Sequence, residues 1–241
     1  MILPFLFLAC LHYSDCKAQV DFSASIINTN LDDFNEELLQ DDIQGINNIF
    51  FNFRIMAQQY LEPKNVELRF SYLNTRAFPV DELPPSTTYH NMQVKGWGVS
   101  LGAAYHFLKK GNVRIYPAID VMPLFSKVLL TKNIPFNNSL TGIINNNTSL
   151  SRFNATKLLA EGHLNFDFLI KSKSNESSGY KLGLYVGYRQ DFLLEDWLLE
   201  ENINVNFPEF DFSGLSVGFS VGFFFKTPNT PKIRKSSNKH S

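Results

Sequence analysis

Three ionisable side chains near position 163 could carry proton-transfer chemistry. Glu161, His163 and Asp167 are spaced two and four residues apart, so on a β-strand they would share one face. A histidine between two carboxylates could act in general acid–base catalysis. The same spacing also predicts a structural network inside a barrel, and we favour that interpretation. His90 and His106 are isolated in the sequence.

Three serines, Ser100, Ser216 and Ser220, stand at the centre of Gly-x-Ser-x-Gly. This pattern marks a hydrolase nucleophile only where a sharp strand-to-helix turn exposes the serine. All three lie within alternating segments, so we predict that they are mid-strand residues. The sequence contains no CxxC, HExxH or P-loop motif, which are the strong indications of metal or nucleotide chemistry. We therefore predict no catalytic residue and no cofactor.

The main pattern in the sequence is an alternation of apolar residues with polar or small ones. The elements that this pattern predicts must position the histidines, carboxylates and serines named above. Between Ser213 and Lys226, the apolar residues from Leu215 to Phe225 share one face, and glycines and serines share the other. Such a period of two is typical of a strand. Similar segments begin near Val20, Ile49, Val66, Trp97, Val113, Glu161 and Tyr180. The sequence therefore predicts eight strands and an all-β fold.

The connections between these segments alternate in length. Short polar turns are predicted at Glu62–Lys64, Lys109–Gly111 and Ser172–Gly179. Longer loops are predicted at Asn28–Gln44, Pro79–His90, Ser126–Asn154 and Leu194–Phe212. This pattern predicts an eight-stranded antiparallel up-and-down transmembrane β-barrel with long acidic external loops. A soluble sandwich or barrel is the alternative, but the Gly/Ser face suits the crowded interior of a narrow barrel better.

The first residues predict a leader segment. An apolar run from Ile2 to Leu11 is followed by a polar stretch ending at Ala18-Gln19, and both cysteines, Cys10 and Cys16, lie within it. The run is too short to span a bilayer and is typical of a signal peptide. We expect a signal peptide over residues 1–19, a barrel over 20–226 and a basic periplasmic tail over 227–241.

The polar faces of the predicted strands carry a balanced set of charges. The acids of this lumen charge network are Asp21, Glu67, Asp120, Glu161 and Asp167, and the bases are Arg54, Arg69, Arg114, Lys181 and Arg189. The interior of an eight-stranded barrel is only wide enough to be filled by side chains. A balanced network there predicts a plugged lumen and argues against a diffusion pore.

The predicted external loops are strongly acidic. Carboxylates are preferred ligands of calcium and magnesium, so divalent cations are possible partners; a solvated acidic surface that binds nothing specific is the alternative. The candidate metal ligands are Asp32, Asp33, Glu36, Glu195, Asp196 and Glu200.

Two of these acidic loops have helical spacing. Leu31, Phe34, Leu38 and Leu39 follow Asn30, a good N-cap, and Leu194, Trp197 and Leu198 share one helical face. We favour two short helices that pack over the barrel mouth. The alternative is that Phe34 and Trp197 form an exposed patch that binds a partner or substrate.

The last strand carries the most specific family signal. The assembly signal polar-x-Gly-x-x-apolar-x-apolar is matched there by Ser216, Gly218, Val221 and Phe223. The pattern of the whole chain resembles the small outer-membrane β-barrels of the OmpA-barrel and OmpX type, in particular the Bacteroidetes proteins of similar length. The resemblance implies that the barrel-assembly machinery is a partner during biogenesis, and that outer-membrane lipid and lipopolysaccharide surround the barrel. Typical members stop at the terminal aromatic residue, whereas this chain continues past Phe225.

Together these patterns predict a protein of the cell outer membrane with both termini periplasmic. We expect a non-enzymatic protein with a structural or surface-binding role in the cell envelope. A lipid-modifying outer-membrane enzyme and a narrow channel or transport accessory are the alternatives. The 22 Lys+Arg and 23 Asp+Glu give a net charge of −1, which lacks the basic excess of nucleic-acid-binding proteins. The sequence does not name an external ligand.

Overall fold

The computed structural model describes residues 17–61, 65–80, 89–133, 150–172, 178–193, 198–199, 203–204 and 211–226. One helix, α1, spans Asp32–Gln40 within these ranges. The strands are β1 Lys17–Asn28, β2 Ile46–Leu61, β3 Val66–Pro79, β4 Tyr89–Tyr105, β5 Leu108–Lys110, β6 Val113–Asn133, β7 Leu150–Lys171, β8 Ser178–Leu193, β9 Leu198–Leu199, β10 Ile203–Asn204 and β11 Gly214–Lys226.

Eight of these strands close into a ring. The antiparallel order is β1, β2, β3, β4, β6, β7, β8 and β11, and β11 pairs back onto β1. The short β5 continues the path of β4 beside β6, while β9 and β10 form a small ribbon beside the start of β7. The eight-stranded antiparallel barrel expected from the sequence is confirmed.

The strand register fixes the tilt of this barrel. A path can be followed around the ring by stepping from each residue to the one directly opposite it on the next strand. A path that starts at Lys127 on β6 returns to β6 at Pro117, which is a displacement of 127 − 117 = 10 residues. For eight strands this stagger gives a tilt of about 40° to the barrel axis. The path runs through Lys127, Lys95, Arg76, Phe51, Ile26, Val217, Val186, Leu164 and Pro117.

The outer wall of the ring is apolar. Leu101, Leu184 and Phe219 are 65%, 64% and 56% exposed, and a continuous apolar surface of this kind requires an apolar surrounding. On β8, the outward side chains from Tyr180 to Tyr188 are exposed and apolar. They rise by about 20 Å along the axis, close to the band of about 25 Å in transmembrane barrels. No helix in the described ranges is long and apolar enough to cross a membrane.

The two ends of the barrel differ. We call the end where residues 62–64 join β2 to β3 the turn end; β1 begins and β11 finishes there. The opposite end, which carries α1, is the loop end. Lys17, Ala18 and Gln19 already pair with β2 and β11; the position of signal cleavage stays a prediction, and residues 227–241 lie outside the described ranges.

Three strands are longer at the loop end than the sequence predicted. β4 begins at Tyr89, well before Trp97, and the predicted loop Ser126–Asn154 includes the end of β6, which runs to Asn133, and the start of β7 at Leu150. The extensions pair with each other and bury Met92, Val94 and Val128. Burial of these side chains inside the ring is the physical reason that the strands continue.

An apolar core fills the ring at the loop end. Its members are Ile27, Leu31, Phe34, Leu38, Ile46, Phe50, Leu73, Ala77, Met92, Val94, Met122, Leu124, Val128, Leu130, Ala155, Leu159 and Phe212. The helix α1 closes the mouth, and the Asn35 side chain fixes it by bonding with both the backbone N–H and C=O of Ile46, each at 2.9 Å.

The predicted helix over the mouth is therefore correct for α1. Phe34 and Leu38 are 5% and 2% exposed, so the alternative of an exposed patch is wrong for Phe34. The N-cap is Leu31 and not Asn30, although the Asn30 side chain accepts a hydrogen bond from the Asp32 N–H at 3.3 Å.

The second predicted helix is wrong at Leu198. Leu198 and Leu199 form β9, whose backbone pairs with Phe153 and Asn154 at the start of β7. The edge of that extended strand offers backbone hydrogen bonds, which favours the extended conformation over a helix. Leu194 and Trp197 lie outside the described ranges.

Candidate functional site

The inward faces of the strands bring most of the predicted lumen charges together. The buried members, all 4% exposed or less, are Asp21, Arg54, Glu67, Arg69, Asp120, Glu161, Asp167, Lys181 and Arg189. Arg114 is different: it is only partly buried and forms no ion pair with a described acid. It is the second residue of β6, so its side chain lies at the turn end, where the ring no longer encloses it.

Arg54 lies at the centre of the network. Its guanidinium contacts Glu161, and its Nη1 is 3.1 Å from Asp120 Oδ2. Arg189 Nη2 also approaches Glu161 Oε2, at 3.4 Å. Arg69 Nη1 lies 3.6 Å from the same Asp120 oxygen. The contacts of Arg54 and Arg69 join strands that are not neighbours, so they link separate parts of the wall across the lumen. Arg189 and Glu161 instead lie directly opposite each other on the neighbouring strands β8 and β7.

A second group surrounds Lys181. The Lys181 ammonium contacts Asp21 and lies 3.1 Å from Asp167 Oδ2. The Tyr116 hydroxyl donates to Asp167 Oδ2 at 2.6 Å, and the Gln19 amide donates to Asp21 Oδ1 at 2.8 Å. Each of the two carboxylates therefore has both an ammonium and a neutral donor.

His106 completes the network at Glu67, and the expectation that it is isolated is wrong. Its Nε2 is 3.0 Å from Glu67 Oε2, and its ring packs against those of Tyr116 and Tyr60, with centroids 4.2 and 5.2 Å away. Its inward position, in phase with Ser100 and Gly102, was visible in the sequence. Its partner on β3 was not, because that pairing depends on the strand register.

His163 is buried, but its neighbours are not those expected of a catalytic cluster. Its Nε2 lies 3.0 Å from Asp120 Oδ2 and 2.8 Å from Arg69 Nη1. Glu161 and Asp167, which flank His163 in sequence, are instead paired with arginines and with Lys181.

The three candidate serines also face inward from the middle of strands. Ser100 exchanges a hydrogen bond with Ser71, and Ser216 and Ser220 are buried. The three serines thus help to fill the lumen.

Lys157 and Asp191 form a buried ion pair that the predicted lumen charge network does not include. Lys157 is 1% exposed, and its Nζ lies 2.9 Å from Asp191 Oδ2. The ammonium also lies 5.3 Å from the centroid of the Phe212 ring. This pair is inside the loop end because β7 starts earlier than predicted.

The last strand places the assembly-signal residues on both faces. Ser216 and Gly218 face inward, while Val221 and Phe223 are 40% and 47% exposed on the outer wall. Reading of this segment by the assembly machinery stays a prediction.

The small size of Gly218 is a steric requirement. A Cβ there would lie 2.5 Å from Tyr185 Cζ and 2.6 Å from Ser25 Cβ. Gly218→Leu is therefore expected to destabilise the barrel by about 1–3 kcal/mol or more through overpacking. Val217→Leu, on the outer wall, is the matched control and should change little. Urea unfolding in lipid vesicles measures both; equal losses would show that the inner face tolerates added volume.

The candidate metal ligands are only partly described. Asp32, Asp33 and Glu36 are exposed on α1, and Glu195, Asp196 and Glu200 lie outside the described ranges. Among the described residues, no group of three or more His, Cys, Asp or Glu is placed to hold a metal ion. Binding of divalent cations stays a prediction.

A closed ring of eight antiparallel strands with an apolar outer wall and a charged interior defines a class: the chain is a small transmembrane β-barrel protein. No protein-family model matches the sequence, and no curated protein matches it significantly.

Three solved structures with which the chain shares a similar fold are a major outer membrane protein from Thermus thermophilus, the attachment invasion locus protein Ail of Yersinia pestis, and Neisserial surface protein A. The first is 10% identical with a TM-score of 0.47, over 88% of this chain and 98% of that one. Ail is 11% identical with a TM-score of 0.40, over 88% and 98%. The Neisserial protein is 12% identical with a TM-score of 0.39, over 88% and 96%.

Proposed function

We propose that this outer-membrane barrel is non-enzymatic, has a plugged lumen, and serves a structural or surface-binding role in the cell envelope. The observation that carries the proposal is that side chains fill the ring in two layers. The ion-pair network around Arg54 and Lys181 fills it toward the turn end. The apolar core beneath α1 fills it toward the loop end.

The two layers resist opening for different reasons. Separating Arg54 from Asp120 and Glu161 would leave buried charges without partners, which is costly in a low-dielectric interior. Lifting α1 would expose Phe34, Leu38 and the core below them to water. A continuous aqueous path would require both changes at once.

The absence of catalysis is supported by the location of the reactive groups. His163, Ser100 and their partners face the lumen and are 5% exposed or less. A membrane lipid would approach the outer wall, on the opposite face of the same strands. A lipid-modifying enzyme needs its reactive atoms on that side, or at the rim, where substrate can reach them.

The orientation follows from the two ends. Short turns of bacterial outer-membrane barrels lie in the periplasm, so we place the turn end, with the start of β1 and the end of β11, on that side. The loop end then faces the exterior and presents the exposed acids of α1, among them Asp32, Asp33 and Glu36. Such a surface suits a cationic partner or divalent cations that bridge it to lipopolysaccharide.

The plugged lumen predicts the electrical behaviour of the protein. Full-length protein incorporated into planar bilayers should show no steady ion conductance, because both layers of side chains would have to separate before water could cross the ring. A general porin in the same bilayers serves as the positive control, and protease protection of the loops verifies insertion. Sustained conductance of porin size would reject the plug and favour the channel alternative.

A second measurement tests the absence of catalysis. Protein reconstituted in vesicles that contain lipopolysaccharide should leave the lipid mass spectrum unchanged after prolonged incubation. Loss or gain of an acyl group, absent from vesicles without protein, would favour the lipid-modifying alternative.

A further inference from the structure

Three basic side chains form a row on the outer wall near the loop end. Arg76 on β3 lies directly opposite Lys95 on β4, and Lys95 lies directly opposite Lys127 on β6. All three point outward, because the residues that follow or precede them, such as Ala77 and Val94, are buried inside. Arg76 is exposed and the two lysines are partly exposed.

This row is electrostatically unfavourable unless an anion covers it. Like charges directly opposite on paired strands are destabilising, since their Cβ atoms are only about 5 Å apart. Within the described ranges, the acids that form ion pairs have other partners, and none contacts Arg76, Lys95 or Lys127. An anion from outside the barrel would relieve the repulsion.

The row lies where the outer wall leaves the membrane. Trp97 and Phe125, the next outward residues toward the turn end, stack with ring centroids 4.5 Å apart, and tryptophan favours the membrane–water interface. Beyond Trp97 the alternation of β4 inverts: Gln93 and Lys95 point outward while Met92 and Val94 point inward. The inversion marks the level of the lipid headgroups.

An apolar groove on the same wall leads up to Arg76. It has a volume of about 710 Å³ and includes Ala24, Phe53, Phe219 and Leu184, with Asn74 and Arg76 among its lining. It exists because Ala24 is small and stands directly between the large Phe53 and Phe219. A groove of this composition fits an acyl chain and not a polar ligand.

We propose that Arg76, Lys95 and Lys127 bind the phosphate of a phosphorylated lipid in the leaflet at the loop end, and that one of its acyl chains lies in the groove beside Ala24. The arginine offers a planar fork of donors for phosphate oxygens, and the lysines add charge. The groove favours a lipid over free phosphate, because only a lipid can occupy both the basic row and the apolar groove. This site is independent of whether the lumen is plugged.

The test compares phosphatidic acid with diacylglycerol of the same chains, added to full-length protein in neutral detergent micelles, with bound lipid counted by native mass spectrometry. Wild-type protein should prefer phosphatidic acid. Lys95→Gln with Lys127→Gln should weaken its binding by about tenfold or more. Lys110→Gln with Lys171→Gln, the same charge change at the turn end, should leave it unchanged. Arg76→Gln alone should give a smaller loss in the same direction.

The groove is tested separately by volume. Ala24→Phe fills it without changing charge and should weaken binding of both lipids, whereas Ala57→Phe, an outward position on β2 outside the groove, should not. The proposal is overturned if phosphatidic acid has no advantage, if the two lysine pairs behave alike, or if the two alanine variants behave alike. Inorganic phosphate alone should not displace the lipid; efficient displacement would show a site for free phosphate and would also overturn the proposal.

Discussion

Arg54→Leu is expected to lower the free energy of unfolding by about 3–5 kcal/mol, the loss typical when one partner of a buried ion pair is removed. Arg54 is 3% exposed and is in contact with both Asp120 and Glu161. Leucine leaves these two carboxylates close together in the lumen with less compensating charge. Urea unfolding of the barrel refolded in lipid vesicles, followed by tryptophan fluorescence, measures the change.

The matched control is Arg114→Leu, the same chemical change in the same barrel. Arg114 is partly exposed at the turn end and has no ion pair among the described residues, so its replacement should cost about 1 kcal/mol or less. Adding Asp120→Asn to Arg54→Leu should recover part of the loss, because it removes one of the two stranded carboxylates while Glu161 keeps its contact with Arg189. Equal effects of the two single variants, or no recovery, would show that the network does not stabilise the barrel through its charges.

The strands that cross the membrane could be predicted because two surroundings act on them. Lipid outside and a crowded polar lumen inside impose opposite requirements on successive residues, so β11 alternates without a break from Leu215 to Phe223. The same contrast revealed which side of each strand faces inward, and with it most of the buried charges.

The strand ends could not be predicted, because the alternation changes phase where the wall leaves the lipid. On β4 and β6 the inward residues Met92, Val94 and Val128 are apolar, while Lys95 and Lys127 point outward. The period of two persists, but its polarity is reversed. In these extensions the outward residues are no longer regularly apolar, so the sequence of the extensions resembles that of loops.

The partners of the charges also depend on information that the sequence does not display. Arg54 on β2 meets Asp120 on β6 across the lumen, a contact that follows from the ten-residue stagger of the ring and not from neighbouring strands. The pairs Glu67–His106 and Lys157–Asp191 join neighbouring strands or their ends, and they were missed because the sequence does not show which residues of paired strands lie side by side. Most of the inward charges could be read from the alternation, whereas their pairing required the register.

Phe50→Ala tests the apolar layer, with an expected loss of about 3–5 kcal/mol from lost burial and from the cavity left behind. Phe50 is 1% exposed and packs on Phe212, with ring centroids 5.4 Å apart. The adjacent Phe51 is 52% exposed on the outer wall, where fluid acyl chains would occupy the vacated space. Phe51→Ala should therefore cost only about 1–2 kcal/mol. Urea unfolding in vesicles measures both variants, and a loss at Phe51 that equals or exceeds the loss at Phe50 would mean that the loop end is not a packed core.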